Sequence, residues 1–413
     1  MSNYTKATNF ASKDSLLTGN PLKIVKGTEL DNEFNAISTA VSTKLDTTAL
    51  AAPGPIGATT PAAINGTTGT FSGTVSGTTG TFSGNVQMAS LNGGQLAGLR
   101  NKIINGNMTV CQRATSTAGI TGGTQSFLVD RFRTGGQATA AVVTTSQSSD
   151  MPSGLYGFSA RIAVTTADVA VASTDVLAVV QPIEGYNIRD LFGTTFTLSF
   201  WVRSSKTGTH CVAFSNAATD RSYVVEYTIS LANTWEYKTI TVSGGLTTAG
   251  TWDLTTGTGI SLRFALVAGS SFQTTAGAWN TGNFFGTSGQ VNCLDTIGNI
   301  FAITNVQLEV GQIPTPFEQI PYGLSLQLCQ RYYQSATGLN VRGYIAGTTV
   351  NTRYWALPFN CTMRTTPSVI NVVTSGVFTL SSTTEYLLSG FDTSQANTTA
   401  LINISSFNVS AEL

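Results

Sequence analysis

Carboxylates that could pair to cleave a glycosidic bond are thinly spread through this 413-residue chain, at Glu184, Glu226, Glu236, Asp253, Asp295, Glu309 and Glu318. Acid–base work on sugars needs two such groups flanking one bond, and no spacing here marks a pair. The single histidine, His210, has no Ser or Cys partner motif beside it. Five cysteines, Cys111, Cys211, Cys293, Cys329 and Cys361, are far apart and form no Cys-x-x-Cys. With one histidine they do not make a zinc site of the usual spacing, so no metal is expected and free thiols of a reducing compartment are. The glycines of GTTGTFSG are not followed by Lys-Ser/Thr, which removes a phosphate loop. No cofactor and no enzymatic activity are expected.

Aromatic residues offer a different chemistry. Sugars present hydroxyls and apolar C–H faces, so a site for them combines rings with polar side chains. Trp252 and Trp279, with Phe284 and Phe285, stand in the loop-rich stretch 250–286, and Tyr344, Arg353, Tyr354, Trp355 and Tyr386 stand near turn-rich ends of the C-terminal segment. These are the candidate ligand-binding residues. Trp201 and Trp235, on or beside strand patterns, are expected in the core.

The elements that must position them are mostly strands. Charged residues make up 10% of the chain against about 25% in ordinary domains, and Lys+Arg 21 balances Asp+Glu 21. No basic field exists to hold nucleic acid. Forty-two glycines and 41% hydrophobic residues describe an all-β chain with many tight turns. No stretch has the length of a membrane span and the N-terminus lacks a signal pattern, so neither insertion nor export is expected.

Residues 1–27 have no clean periodicity and read as an extended arm that orders on a partner. Leu30, Phe34, Ile37, Val41 and Leu45 then recur at helical spacing, predicting a helix of about 18 residues with one narrow apolar stripe. A Pro/Gly/Ala hinge at 51–63 leads into a repeat: Ile64, Val75 and Val86 recur every 11 residues, as do Phe71 and Phe82. Three glycines per repeat argue against a helix. A strand–turn ribbon remains, with one apolar row too thin to bury alone. Three copies around one axis would bury it and the helix stripe together, so both sets are expected at a trimer interface. From 101 to 318 short apolar-alternating runs such as TFTLSFWVRSS and FAITNVQLEVG follow one another, the pattern of a jelly-roll-like β-sandwich. A short helix in YGLSLQLCQRYY precedes a second, smaller β domain at 334–413.

Between Asn101 and Tyr333 the chain carries NKIINGNMTVCQR, VDRFR, FTLSFWVRSSKTGTH, NTWEYKTITVSG, GQVNCLDTIGN and ITNVQLEVGQIPTPFEQIPYGLSLQLCQRYYQ. This set, over more than half the chain, resembles the C-terminal region of bacteriophage tail fibres and tail-fibre-like receptor-binding proteins. The opening YTKATNFASKDSLLTGNPLKIVKGTELDNEFNAISTAVSTK resembles the arms by which fibres of some short-tailed phages attach to the virion. Family members often carry Trp where Cys111 and Phe132 stand, a departure that bears on core packing. The resemblance implies a homotrimeric fibre of the virion, made in the host bacterial cytoplasm. It would be anchored through residues 1–27, with Tyr4, Phe10, Leu22 and Ile24 on a tail or head–tail adaptor protein. Its C-terminal β domains would face host surface glycan. The expected organisation is therefore mainly β: arm and coiled-coil helix at 1–50, hinge and β-repeat shaft at 51–99, sandwich at 100–320 and tip domain at 321–413. A purely structural fibre or decoration protein is the alternative reading, and a polysaccharide-degrading tailspike a more distant one.

Overall fold

The structure is a computed structural model that describes residues 4–42, 98–137, 139–337, 351–375, 379–394 and 403–413. Leu45 and the repeat residues Ile64, Phe71, Val75, Phe82 and Val86 lie outside the described residues, as does Tyr344. The chain divides into two bodies, 1–83 and 84–413, each described by itself.

In the first body the arm is not extended. It turns through a short helix, Ala11–Asp14, and a 3-10 turn, Pro21–Lys23, then enters the helix Gly27–Ser42. Polar side chains fold it back: the Ala7 and Thr8 N–H groups donate to Glu33 at 2.9 and 2.8 Å. Lys13 donates to the Leu22 carbonyl at 2.9 Å and pairs with Glu29 at 2.8 Å. The helix start is fixed by Glu29, whose carboxylate accepts from the Lys26 N–H at 2.9 Å, half of a capping box one turn into the helix. The apolar stripe is left uncovered: Leu30, Phe34, Ile37 and Val41 are 42, 64, 38 and 63% exposed. Tyr4, Leu22 and Ile24 are exposed too, and Phe10 is half-buried.

The second body is built on two facing antiparallel sheets. One has six strands in the order β1 (Ser116–Thr121), β4 (Val142–Ser148), β5 (Ser159–Thr166), β13 (Ile300–Val310), β7 (Phe196–Ser204) and β10 (Glu236–Val242). The other has seven: β12 (Trp279–Asn280), β9 (Ser222–Ile229), β8 (Gly208–Asn216), β11 (Thr258–Ala268), β6 (Val176–Glu184), β3 (Phe132–Gln137) and β2 (Phe127–Val129). Alternation along each strand sends one face inward, and the rings meet edge-on across the gap. Phe200 of β7 lies 5.0 Å from Phe264 of β11 and 5.3 Å from Tyr227 of β9, centroid to centroid. Phe132 is fully buried in this core, and Cys111 sits half-buried with its thiol toward the Arg113 and Ala114 carbonyls. All five cysteines are free thiols. The β-sandwich expected from the strand pattern is the fold observed.

Strands β6, β8 and β11 are buried on both faces because the seven-stranded sheet is covered outside as well. Phe285, with Phe272 and Phe284 beside it, packs on Ala178, Cys211, Ala213 and Ala265. Phe284 and Phe285 are therefore packing residues and not part of an open ligand platform. Small side chains on the sheet make room for the rings.

His210 is buried between the sheets, stacked on Tyr227 at 5.7 Å, with Nε2 3.0 Å from the Lys206 carbonyl and Nδ1 3.6 Å from the Cys293 thiol. Burial pushes the Cys293 thiol up to about 12, so this pair is no activated nucleophile. Burial also pushes the imidazole below its ordinary 6.5. Because the folded value is depressed, the unfolded chain binds the proton first as pH falls. Stability from the neutral ring is fully present above pH 6.5 and is lost as pH drops through the lower folded value. Thermal unfolding followed from pH 7.5 to 5 should show a falling midpoint, and His210→Gln should flatten that slope.

Beyond the sandwich, the helix Tyr322–Gln330 leads to two small sheets. One runs β14 (Tyr333–Thr337), β19 (Asn403–Ser410), β16 (Ser368–Ser375); the other runs β15 (Asn351–Pro358), β18 (Leu387–Ser394), β17 (Thr379–Thr383). They share a core of Phe359, Met363, Leu388, Phe407 and Val409. A knot of arginines joins this region to the sandwich. Arg331 grips Glu184 with two nitrogens at 3.0 and 2.6 Å, and the Tyr332 hydroxyl donates to the same carboxylate at 2.7 Å. Arg131, stacked 3.6 Å over the Tyr332 ring, pairs with Glu412, and Arg113 bridges Asp130 and Glu412. Arg364 donates to the Thr256, Ala411 and Glu412 carbonyls. Between β13 and β14 the chain changes sheet, and buried charge ties the two parts together.

Candidate functional site

Two of the sequence-predicted rings come together at the end of the seven-stranded sheet. Trp279 is on β12, beside Tyr223 of β9, with centroids 5.3 Å apart. Trp252 stands on the loop between β10 and β11, 5.6 Å from Trp279 and 5.4 Å from Phe192, edge-on to both. The loop's geometry is set by glycines. Gly245 takes φ +66°, and a Cβ there would fall 2.2 Å from the Leu191 and Thr194 carbonyl oxygens. Its own carbonyl accepts the Trp279 indole N–H at 3.0 Å. The Trp252 indole N–H donates to the Ala249 carbonyl, also at 3.0 Å. Both polar handles are thus satisfied, which fixes the rings in place.

Two acids lie by Trp252, Asp253 next to it in the chain and Asp220 through the neighbouring Thr251 N–H. Asp253 accepts from the Thr255 N–H and hydroxyl, each at 2.7 Å, and these bonds hold its carboxyl below the usual range. Asp220 is held low mainly by Asn216 and then by Thr251, whose N–H it accepts at 3.0 Å. Both are ionised acceptors at neutral pH. Two open depressions adjoin at Trp252 and Leu254. The first, about 580 Å³, continues along Ala217, Ala218, Thr251, Asp253 and Thr255. The second, about 510 Å³, continues along Arg189, Phe192, Thr248 and Gly250. Arg189 donates twice to the Leu254 carbonyl, at 3.1 and 2.7 Å, and its guanidinium lies 4.9 Å from the centre of the half-exposed Tyr186 ring. Both volumes fall within the roughly 300–1,000 Å³ of ligand pockets. The arrangement supplies a half-buried indole, an exposed leucine, an arginine, a carboxylate and threonine hydroxyls on one surface.

The other predicted residues belong to the C-terminal strands, with Tyr344 outside the described residues. Tyr386 is 60% exposed at the turn before β18, in the C-terminal region. Arg353, Tyr354 and Trp355 are placed on β15 opposite Asp392, Phe391 and Gly390, with their side chains outside the description. Trp201 is not in the core: it stands on the outer face of β7, tilted against Tyr237 at 5.5 Å. Trp235 is half-buried, its indole N–H toward Asp150 at 3.3 Å. Arg189, Phe192 and Leu254 were missed by sequence reasoning, since nothing in their spacing ties the two short turns at 185–191 to a loop some 60 residues on.

The scattered carboxylates are engaged structurally. Glu226 accepts from the Thr287 hydroxyl, Glu236 and Asp295 pair with Lys238 and Lys206, and Glu309 and Glu318 pair with Arg100. Among the described residues no three His, Cys, Asp or Glu side chains gather as metal ligands, and no helix is long and apolar enough to cross a membrane.

No family model and no curated protein sequence matches the chain. Among solved structures, a family 61 carbohydrate-binding module, TmCBM61 with β-1,4-galactotriose, is similar at 13% identity over 52% of this chain and 100% of its own, TM-score 0.26. The family 11 module of Clostridium thermocellum with a mixed-linked tetrasaccharide is similar at 13% over 49% and 99%, TM-score 0.26. The tripod from the baseplate of bacteriophage Tuc2009 is similar at 13% over 63% and 82%, TM-score 0.22. These likenesses show no family. The β-sandwich of this chain rests on its own strand pairing.

Proposed function

We propose that this chain is a phage tail fibre that attaches to host surface glycan through the Trp252 surface, as a homotrimer anchored to the virion by its N-terminal arm. The observation that carries the glycan reading is the Trp252–Leu254 junction, where one fixed indole borders two open depressions lined by Asp253, Arg189 and threonines. A pyranose stacks its C–H face on such a ring while its hydroxyls bond to the carboxylate and guanidinium. The sequence resemblance at 101–333 supports the phage assignment. The uncovered stripe Leu30, Phe34, Ile37 and Val41 supports self-association. On this reading the chain binds without cleaving, since Glu184, Glu309 and Glu318 are spent on internal arginine pairs.

Adsorption of the full-length chain to susceptible cells, against resistant ones that differ only in surface polysaccharide, tests the reading. Retention on the first and not the second is expected. Retention on neither favours a structural fibre whose adhesin is another protein, and equal retention on both contradicts surface polysaccharide as the receptor.

A further inference from the structure

The outer face of the six-stranded sheet holds another pocket, built around an irregularity in β13. Thr304 pairs with Trp201 and Gln307 with Ser199, which leaves Asn305 and Val306 together opposite one residue of β7. Such a bulge re-aims side chains. Val306 goes to the core, where it is fully buried, with its N–H donating to the Gly106 carbonyl at 3.0 Å. Asn305 takes φ +47°, a left-handed conformation that Asn tolerates better than most residues. It is only 4% exposed, yet its carboxamide oxygen is buried without a hydrogen-bond partner. Its amide nitrogen donates to no described residue either. A buried, strained, unpaired carboxamide is costly, and such groups mark places that something else completes.

Asn305 lines a half-open pocket of about 240 Å³ with Ser199, Trp201 and Tyr237, bordered by Leu155, Pro316 and Phe317. No charged side chain lines it, so its ligand is neutral. The volume lies below the roughly 300–1,000 Å³ of drug-sized pockets, so the ligand is small. Trp201 and Tyr237 offer apolar ring surface, and the Ser199 hydroxyl, like the Asn305 carboxamide, is unbonded among the described residues. We propose that this pocket binds one neutral sugar ring, with its hydroxyl groups on Asn305 and Ser199 and its C–H face on Trp201 and Tyr237. It lies on the other sheet from Trp279 and stands independently of the Trp252 reading.

The test uses the full chain with the methyl glycosides of glucose, galactose and N-acetylglucosamine, followed by ligand-observed NMR and tryptophan fluorescence. At least one glycoside should bind saturably. Asn305→Gly, which suits the left-handed backbone, and Tyr237→Ala, on the exposed edge strand, should each weaken it about tenfold. In a Trp252→Ala background, which removes the other proposed glycan surface, binding to this pocket should persist and should still be weakened by each of the two variants. The melting temperature of Asn305→Gly should hold or rise, because an unpaired buried group has been removed. No binding by any glycoside overturns the proposal, as does binding that Asn305→Gly and Tyr237→Ala leave intact. Binding lost only in Trp252→Ala overturns it too, while sustaining the Trp252 surface. A melting temperature that falls in Asn305→Gly shows a structural role and also overturns it.

Discussion

A chain carrying Phe34→Asp and Val41→Asp is expected to lose cell retention by about 10²–10⁴-fold, through loss of multivalency with every binding surface intact. Phe34 and Val41 are seven residues apart, as are Leu30 and Ile37, so the two pairs occupy the two seam positions of a heptad. In the single chain this seam faces water, with Phe34 64% and Val41 63% exposed. Burying each such side chain contributes roughly 1.5–3 kcal/mol, whereas three Asp carboxylates around one axis repel in low dielectric. A helix of 16 residues is marginal alone, so the variant should also lose helicity by circular dichroism. Sedimentation equilibrium checks the cause: the wild type should sediment as three chains and the variant near the single-chain 43.2 kDa. Should the repeat hold the assembly together, adding Phe71→Asp and Phe82→Asp should release it. A wild type that sediments as one chain contradicts the trimer.

Arg331→Ala is expected to destabilise the second body by about 3 kcal/mol, the lower end of the 3–5 kcal/mol for breaking a buried ion pair. Glu184 is 1% exposed at its side chain and would lose a two-pronged partner, retaining only the Tyr332 hydroxyl. The lower end applies because the Arg331 side chain is itself 33% exposed and part of its charge is already solvated. Urea unfolding should show a lower midpoint for both the sandwich and the C-terminal strands, because the knot couples them. The double variant Glu184→Leu/Arg331→Met should recover most of the loss, since it leaves no unpaired charge. An unchanged midpoint in Arg331→Ala would show that the pair holds nothing together.

The strands were legible because their side chains alternate. Phe196, Leu198, Phe200 and Val202 all point inward as their spacing predicts. The β13 bulge was legible in principle: Ile303 to Val306 is an odd step, and an unbroken strand does not keep both on one face. Trp201 was misplaced for the opposite reason. Its parity with Ser199 set it outside, but its size argued for the core, and parity won. The folded-back arm was hidden because its ties are polar and long-range, Ala7 and Thr8 to Glu33, with no periodicity to mark them. At the candidate site Trp252 and Trp279 were found by residue type alone. Arg189, Phe192 and Leu254 were not, because the glycine-bent loop that gathers them follows from tertiary packing around Gly245.

The most direct measurement is the binding of full-length wild type and Trp252→Ala to immobilised surface polysaccharide from a susceptible host, at matched sedimentation and melting temperature. Trp252 is half-buried on a surface loop, so the substitution should leave the sandwich folded. Saturable binding by the wild type and at least a tenfold loss in Trp252→Ala, about 1.4 kcal/mol, is the expected result. Equal binding by the two proteins would contradict glycan attachment at this surface.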